Sequence, residues 1–177
     1  MIGGPRTIVV FFDMVGVLEE FSHVQQLYFD KAQLAPDSTY AEEGVRALDA
    51  AIRDWQRAGH EVFLVCVSGV RAEFTRAGLI DYLQARGFDP ARVRLHEQYN
   101  APKRLEADDA PDAIPMTKGK EVELWLAANH WDACVVFDDC NDGYRKGLFV
   151  HVDPELGLSE ENVEKGKVYI ARQLAAG

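Results

Sequence analysis

Two apolar runs, each long enough for one strand and each ending in a carboxylate, constrain this chain more than any other feature. Ile8-Val9-Val10-Phe11-Phe12 delivers Asp13, and the chain then turns at Gly16. Ala133-Cys134-Val135-Val136-Phe137 delivers Asp138 and Asp139. An unbroken apolar run has no polar face to give to water, so both segments read as strands covered on both sides. Parallel α/β sheets hold ligands and metals beyond the carboxyl ends of their strands, and these acids fall there. No acid follows two residues after Asp13, where Val15 stands.

The remaining chain alternates in the same sense. Strand one covers Thr7–Phe12. A helix is expected from about Glu42 to Ala58, with Val45, Leu48, Ile52 and Trp55 at helical spacing and Gly59-His60 ending it. Glu61–Val67 reads as the second strand and ends at Ser68. A helix from about Arg71 to Arg86, closed by Gly87, follows it. Val93 and Leu95 alternate with Arg92, Arg94 and His96, which predicts a short half-buried strand over Arg92–His96. Residues 97–117 carry Asn100, Pro102, Asp108, Asp109, Pro111, Asp112 and Pro115 and read as an irregular loop. A loop of that length inside one domain is often functional. A helix over Gly119–Asn129, with Val122, Trp125 and Leu126 inward, precedes the strands Ala133–Phe137 and Leu148–Val152. The last helix, Ser159–Leu174, opens with an N-cap serine and acids in its first turn. Such alternation predicts an α/β protein with a mostly parallel sheet of about five strands covered on both faces. At 177 residues a single domain is the simplest organisation.

Composition excludes several classes. A net charge of −10 argues against tight general binding to nucleic acid, which depends on clustered cations. Arg92, Arg94, Lys103 and Arg104 lie near one another and offer at most a small basic patch, with a solvated surface as the plain alternative. No apolar run approaches the ~20 residues that span a bilayer. The N-terminus lacks the basic opening of a signal peptide, so a cytoplasmic location is expected. The three cysteines are odd in number and lack metal spacing; Cys66 and Cys134 read as core, Cys140 as partly exposed.

Four motifs occur in order at strand ends or a helix start: Asp13-Met14-Val15-Gly16, Val67-Ser68-Gly69, Lys118-Gly119-Lys120-Glu121 and Asp138-Asp139. Over nearly its whole length the chain resembles the haloacid dehalogenase-like (HAD) superfamily. Its C-terminal half, through Trp125-Leu126, Phe137-Asp138-Asp139 and Asp153-Pro154-Glu155-Leu156-Gly157-Leu158, looks especially like the HAD domain of Swiss-army-knife RNA repair proteins. The resemblance implies a three-layer Rossmann-like fold and a Mg²⁺-dependent hydrolase of phosphate esters working through an aspartyl-phosphate. Asp13 would be the nucleophile, Ser68 a donor to phosphate, and Lys118 the motif lysine, with Lys120 as its rival. Asp13, the carbonyl of Val15, and Asp138 or Asp139 would hold Mg²⁺. Gly69, Lys120 and Asp142 would face the substrate. Plainer readings compete: a helix cap for Ser68, a surface lysine for Lys118, a solvated turn for Asp138-Asp139.

Val15 departs from the family pattern, in which an aspartate at this position protonates the leaving oxygen and later activates water. General acid–base help of that kind is worth roughly 10²–10⁴-fold. Three outcomes follow: a phosphatase confined to good leaving groups, one of the family's non-phosphatase reactions, or a catalytically lapsed module that keeps a phosphate-binding or protein-interaction role. Glu19 or His23, just past the motif, could substitute for the missing acid from the loop, with local packing or capping as the plainer reading of His23. Residues 19–41 are too few for a full cap, and Phe21, Val24, Leu27, Tyr28 and Phe29 suit a short flap, with core packing as the alternative. A nearly capless site is open. It favours a macromolecular substrate such as a phosphorylated nucleic-acid end, or a partner chain, as in a homodimer, that supplies the lid.

Overall fold

The computed structural model describes residues 4–19, 41–69, 74–100 and 117–177. Its strands are β1 (Thr7–Phe12), β2 (Glu61–Cys66), β3 (Leu95–Asn100), β4 (Ala133–Asp138) and β5 (Phe149–His151). The helices between them are α1 (Glu42–Arg57), α2 (Arg76–Ala85), α3 (Lys118–Ala128) and α4 (Glu160–Ala176). The strands form one sheet in the order β3-β2-β1-β4-β5, and every pairing is parallel. β1 and β4 occupy its middle, which is why their sequences carry no polar face.

Alternation along β1 divides the core in two. Ile8, Val10 and Phe12 join Val45, Leu48 and Ile52 of α1, Leu79 and Leu83 of α2, and Val163 and Ile170 of α4. Val9 and Phe11 face the opposite way, into a second cluster with Val122, Trp125 and Leu126 of α3. Trp125 is fully buried and meets Phe11 edge-on at 5.2 Å between ring centres. The result is the three-layer α/β arrangement expected from the alternation.

The helix ends follow their capping residues. Thr75 caps α2 by accepting from the Gly78 amide, and Thr117 caps α3 by accepting from the Lys120 amide. Ser159 and Asn162 form a reciprocal capping box at the start of α4. α2 therefore starts at Arg76 rather than near Arg71, and α3 starts one residue earlier than the spacing suggests.

β3 is the clearest departure from expectation. It runs over Leu95–Asn100 and not Arg92–His96. Asp89 accepts from the Ala91 amide through its side chain, and its carbonyl takes the amides of Arg92 and Val93. That local turn outcompetes strand pairing for residues 89–93. Downstream, residues 97–100, which read as loop, continue the strand. Leu64 pairs with Leu95 and Cys66 with Asn100 across a register shift, and Trp125 donates its indole N–H to the Gln98 carbonyl at 2.8 Å. Of the flap assigned to residues 19–41, all but Glu19 and Ala41 lies outside the described residues, His23 included, and so do residues 101–116 of the loop expected over 97–117. Arg92 is not free for a basic patch, because it pairs with Asp49 and Asp89; Arg94 is exposed, and Lys103 and Arg104 are not described. Among the described residues, no helix is long and apolar enough to cross a membrane.

Candidate active site

The register of the sheet assembles the site. Phe12 lies level with Cys66 of β2 and Phe137 of β4, so the next residue of each strand emerges at one edge. There the Asp13 amide donates to the Phe137 carbonyl at 3.0 Å, and the Val67 amide donates to Phe12 at 2.9 Å. Asp13, Ser68 and Asp138 are consequently neighbours in the fold, and all three are buried.

Asp13 is held from two directions. Its Oδ1 accepts from the Met14 amide at 2.6 Å, and its Oδ2 is bound by the Lys118 ammonium. The turn after it is compact: the Gly16 amide donates to the Glu19 carbonyl at 2.7 Å, and the amides of Leu18 and Glu19 return to Met14 at 3.0 Å. Gly16 has φ +77°, and a Cβ there would lie 2.8 Å from Asp139 Cγ. Glycine is thus required twice, for its backbone conformation and for the approach of Asp139.

Lys118 reaches the site from the first turn of α3. Its Nζ binds Asp13 and donates to Asp138 Oδ2 at 2.9 Å, which excludes a plain surface lysine. Burial disfavours the ammonium, but the charges of Asp13 and Asp138 outweigh burial and hold its pKa above the usual lysine range. Asp142 anchors the helix start, accepting the Lys118 amide at 2.8 Å on its carboxylate and the Gly119 amide at 2.9 Å on its carbonyl. Gly119 permits this contact, since a Cβ there would lie 2.1 Å from the Gly143 carbonyl oxygen. Lys120 is exposed, and no described contact joins its side chain to the carboxylates, so Lys118 is the lysine the fold brings to them.

Asp138 is fully buried, which rules out a solvated turn for it; Asp139 is half-buried. Asp138 Oδ1 accepts from the Cys140 amide at 2.9 Å, and Oδ2 accepts from the Tyr144 hydroxyl at 2.6 Å as well as from Lys118. Burial, and then the charge of Asp13, push this carboxyl up to about 6 against the pull of those donors. Tyr144 stacks on Phe149 at 5.2 Å. Burial, and then Asp138, raise its phenol far above the usual range, so it stays a proton donor. The sequence reading did not single out Tyr144; its only signal is an aromatic residue closing the Asn141-Asp142-Gly143 turn.

Ser68 is buried at the end of β2 and does not cap α2, a position Thr75 takes. Gly69 is exposed beside it, with open space where a Cβ would stand. Val15 is half-buried and its backbone bridges to Glu19. Glu19, one of two candidates for a substitute acid, is bound through its carboxylate to Arg86, a second residue that sequence reasoning missed. One carboxylate oxygen from each of Asp13, Asp138 and Asp139 lies within 4.8 Å of the others. An all-oxygen donor set of this charge fits the preference of Mg²⁺ for hard ligands, and it holds no sulfur or imidazole that would favour softer metals.

Comparison with curated proteins and with solved structures gave no match. A family model describing the HAD domain in Swiss Army Knife RNA repair proteins matches residues 9–163, a span that contains all four motifs and all five strands except the first two residues of β1. On that match, joined to the parallel sheet and the acidic edge it carries, the chain belongs to this HAD-domain family.

Proposed function

We propose that this chain is a Mg²⁺-dependent phosphohydrolase that passes a phosphoryl group first to Asp13 and then to water. The observation that carries the reading is the Lys118 ammonium lying between Asp13 and Asp138 at the carboxyl edge of the sheet. A carboxylate approaching a phosphate dianion needs fixed positive charge, and Lys118 is pre-arranged to supply it. Asp13 is aimed by the Met14 amide and by Lys118. In the first step an Asp13 oxygen bonds to phosphorus as the bond to the leaving oxygen breaks. In the second, water attacks the same phosphorus, its proton leaves with the phosphate, and the carboxylate is restored. Ser68 would donate to a phosphate oxygen, with Gly69 lining the approach.

Asp13, the Val15 carbonyl, Asp138 and Asp139 would hold Mg²⁺, which when bound supplies further charge neutralisation on the phosphoryl oxygens. The family description concerns RNA repair proteins, and on that basis a phosphorylated nucleic-acid end is the proposed substrate class. A net charge of −10 argues that the terminus, and not the length of the backbone, is what binds. Three cysteines in the thiol form suit a reducing, cytoplasmic setting.

The test is phosphate release from 5′- and 3′-phosphorylated oligonucleotides and small esters, with and without Mg²⁺, by the native chain and by Asp13→Asn. Metal-dependent release by the native chain alone is expected. Val15 favours a second reading, a lapsed domain that binds phosphate or a protein without turnover. That reading expects no release by the native chain and a gain of release in Val15→Asp.

A further inference from the structure

The turn after Asp13 carries the groups on which the acidic edge depends. The Met14 amide aims Asp13 Oδ1 at 2.6 Å, the Val15 carbonyl is a metal ligand in the function proposed above, and Gly16 is where Asp139 packs. Backbone bonds close this turn on itself. The amides of Leu18 and Glu19 return to Met14 at 3.0 Å, and the Gly16 amide donates to Glu19 at 2.7 Å. Residues 14–19 therefore move as one unit, with Asp13 before it and Glu19 at its far end. Such a unit is aimed by whatever holds that far end.

The contacts that hold the turn from outside, among the described residues, differ in character. Met14, Val17 and Leu18 share a core cluster with Leu79 and Leu83 of α2, but apolar contact is non-directional and does not by itself fix an angle. The Val17 carbonyl accepts from the Leu158 amide at 2.8 Å and the Leu18 carbonyl from the Ala41 amide at 3.4 Å, both neutral bonds. The Glu19 carboxylate is bound by the Arg86 guanidinium, with the side chains 11% and 10% exposed. A charge-assisted bond of this kind is roughly twice as strong as a neutral one. Arg86 is itself fixed. It closes α2, its amide donating to the Tyr82 and Leu83 carbonyls at 3.2 and 3.1 Å, and its guanidinium lies over the Tyr82 ring, 4.5 Å from the centre. Leu79 and Leu83, fully buried, seat that helix in the core. An enclosed ion pair often adds no more stability than an apolar pair of similar volume. What it supplies that an apolar pair lacks is direction.

We propose that Arg86 is a positioning residue for the acidic edge, acting through Glu19: the pair sets the angle of the turn, and with it the placing of Asp13 and the Val15 carbonyl against Asp138 and Asp139. The inference rests on the function proposed above. Glu19 then serves the site by holding the turn in place, through a carboxylate bound to α2. Misplacing reacting groups by about 1 Å can cost on the order of 10²-fold in rate, so a small rotation of the turn about Asp13 is enough to matter.

The experiment uses the full chain in native form, as Glu19→Leu with Arg86→Met, as Glu19→Gln, and as Asp13→Asn. Urea unfolding first gives the folded fraction of each. Mg²⁺ affinity is read by titration calorimetry, and kcat and KM by phosphate release from an aryl phosphate. The double replacement exchanges the ion pair for an apolar one, so a pair that only stabilises the fold predicts native Mg²⁺ affinity and native kcat per folded molecule. Positioning predicts an affinity weakened by about 10–100-fold, the scale for outer-shell partners of metal ligands. It also predicts kcat lowered on the order of 10²-fold, with KM changed far less because Ser68 and Lys118 stand outside the turn. Where the double replacement does not fold, Glu19→Gln decides on the same readouts, with smaller losses in the same direction. Native Mg²⁺ affinity in the deciding variant would overturn the inference and leave the hydrolase reading intact. Native rates no higher than those of Asp13→Asn would overturn the hydrolase reading, and the Mg²⁺ titration then decides the positioning role alone. A native chain that binds no Mg²⁺ would overturn both.

Discussion

Replacing Arg86 by methionine should lower the folding free energy by about 3–5 kcal/mol, the range for removing one partner of a buried ion pair. The structure supports the upper class of effect because the pair is enclosed. Arg86 and Glu19 side chains are 10% and 11% exposed, so water cannot solvate the Glu19 carboxylate once the guanidinium is gone. Glu19→Gln should cost less, about 1.5–3 kcal/mol, the scale of a hydrogen bond to a charged group. The Arg86 left behind keeps its contact with the Tyr82 ring. Replacing both residues, as Glu19→Leu with Arg86→Met, should bring stability back toward or above the native value, since apolar pairs often match buried ion pairs. Urea unfolding followed by circular dichroism measures all four chains, and an unchanged slope would assign the differences to stability. A loss under about 1 kcal/mol in Arg86→Met, the level of an exposed pair, would refute the claim that this pair is buried. Because the Glu19 carbonyl accepts the Gly16 amide, the same pair also pins the turn that carries Val15.

Three further outcomes follow from the geometry. Gly119→Ala should cost roughly 1–3 kcal/mol by overpacking, because its Cβ would stand 2.1 Å from the Gly143 oxygen; thermal unfolding reads the loss, and phosphate release should fall with it as Lys118 shifts. Tyr144→Phe removes the donor 2.6 Å from Asp138 Oδ2 and should weaken Mg²⁺ binding by about 10–100-fold, as outer-shell partners of metal ligands do, measured by titration calorimetry. His96 is held below its usual pKa, first by burial, where it packs edge-on against Trp125 at 4.7 Å. The folded state then binds fewer protons than the unfolded one, so its contribution is present above pH 6.5 and is lost as pH falls below that value. The drop in Tm on acidification should be smaller in His96→Phe than in the native chain.

The parts of this molecule legible in its sequence are those in which one physical demand acts alone. β1 and β4 are covered on both faces, so they appear as unbroken apolar runs, and the acids at their ends stand out against them. Lys118 was readable through the family resemblance alone, as a lysine at the opening of a helix, and sequence spacing left Lys120 as its rival. The start of β3 was not, because Val93 and Leu95 alternate as a strand would while Asp89 captures the backbone in a turn that alternation cannot register. Arg86 and Glu19 lie 67 positions apart, and each alone resembles an ordinary surface charge near a turn. Tyr144 escaped for a similar reason: its role depends on how the loop after β4 folds back on Asp138, and no periodicity encodes that return.

The most direct test of the central claim is the covalent state of Asp13 during turnover. The native chain should be mixed with Mg²⁺ and a phosphorylated substrate, quenched in acid, and mapped by mass spectrometry. A phosphoryl adduct on the peptide bearing Asp13, absent without Mg²⁺ and absent in Asp13→Asn, is the predicted result. Phosphate release that proceeds at full rate in Asp13→Asn, or an adduct on another residue, would contradict the account.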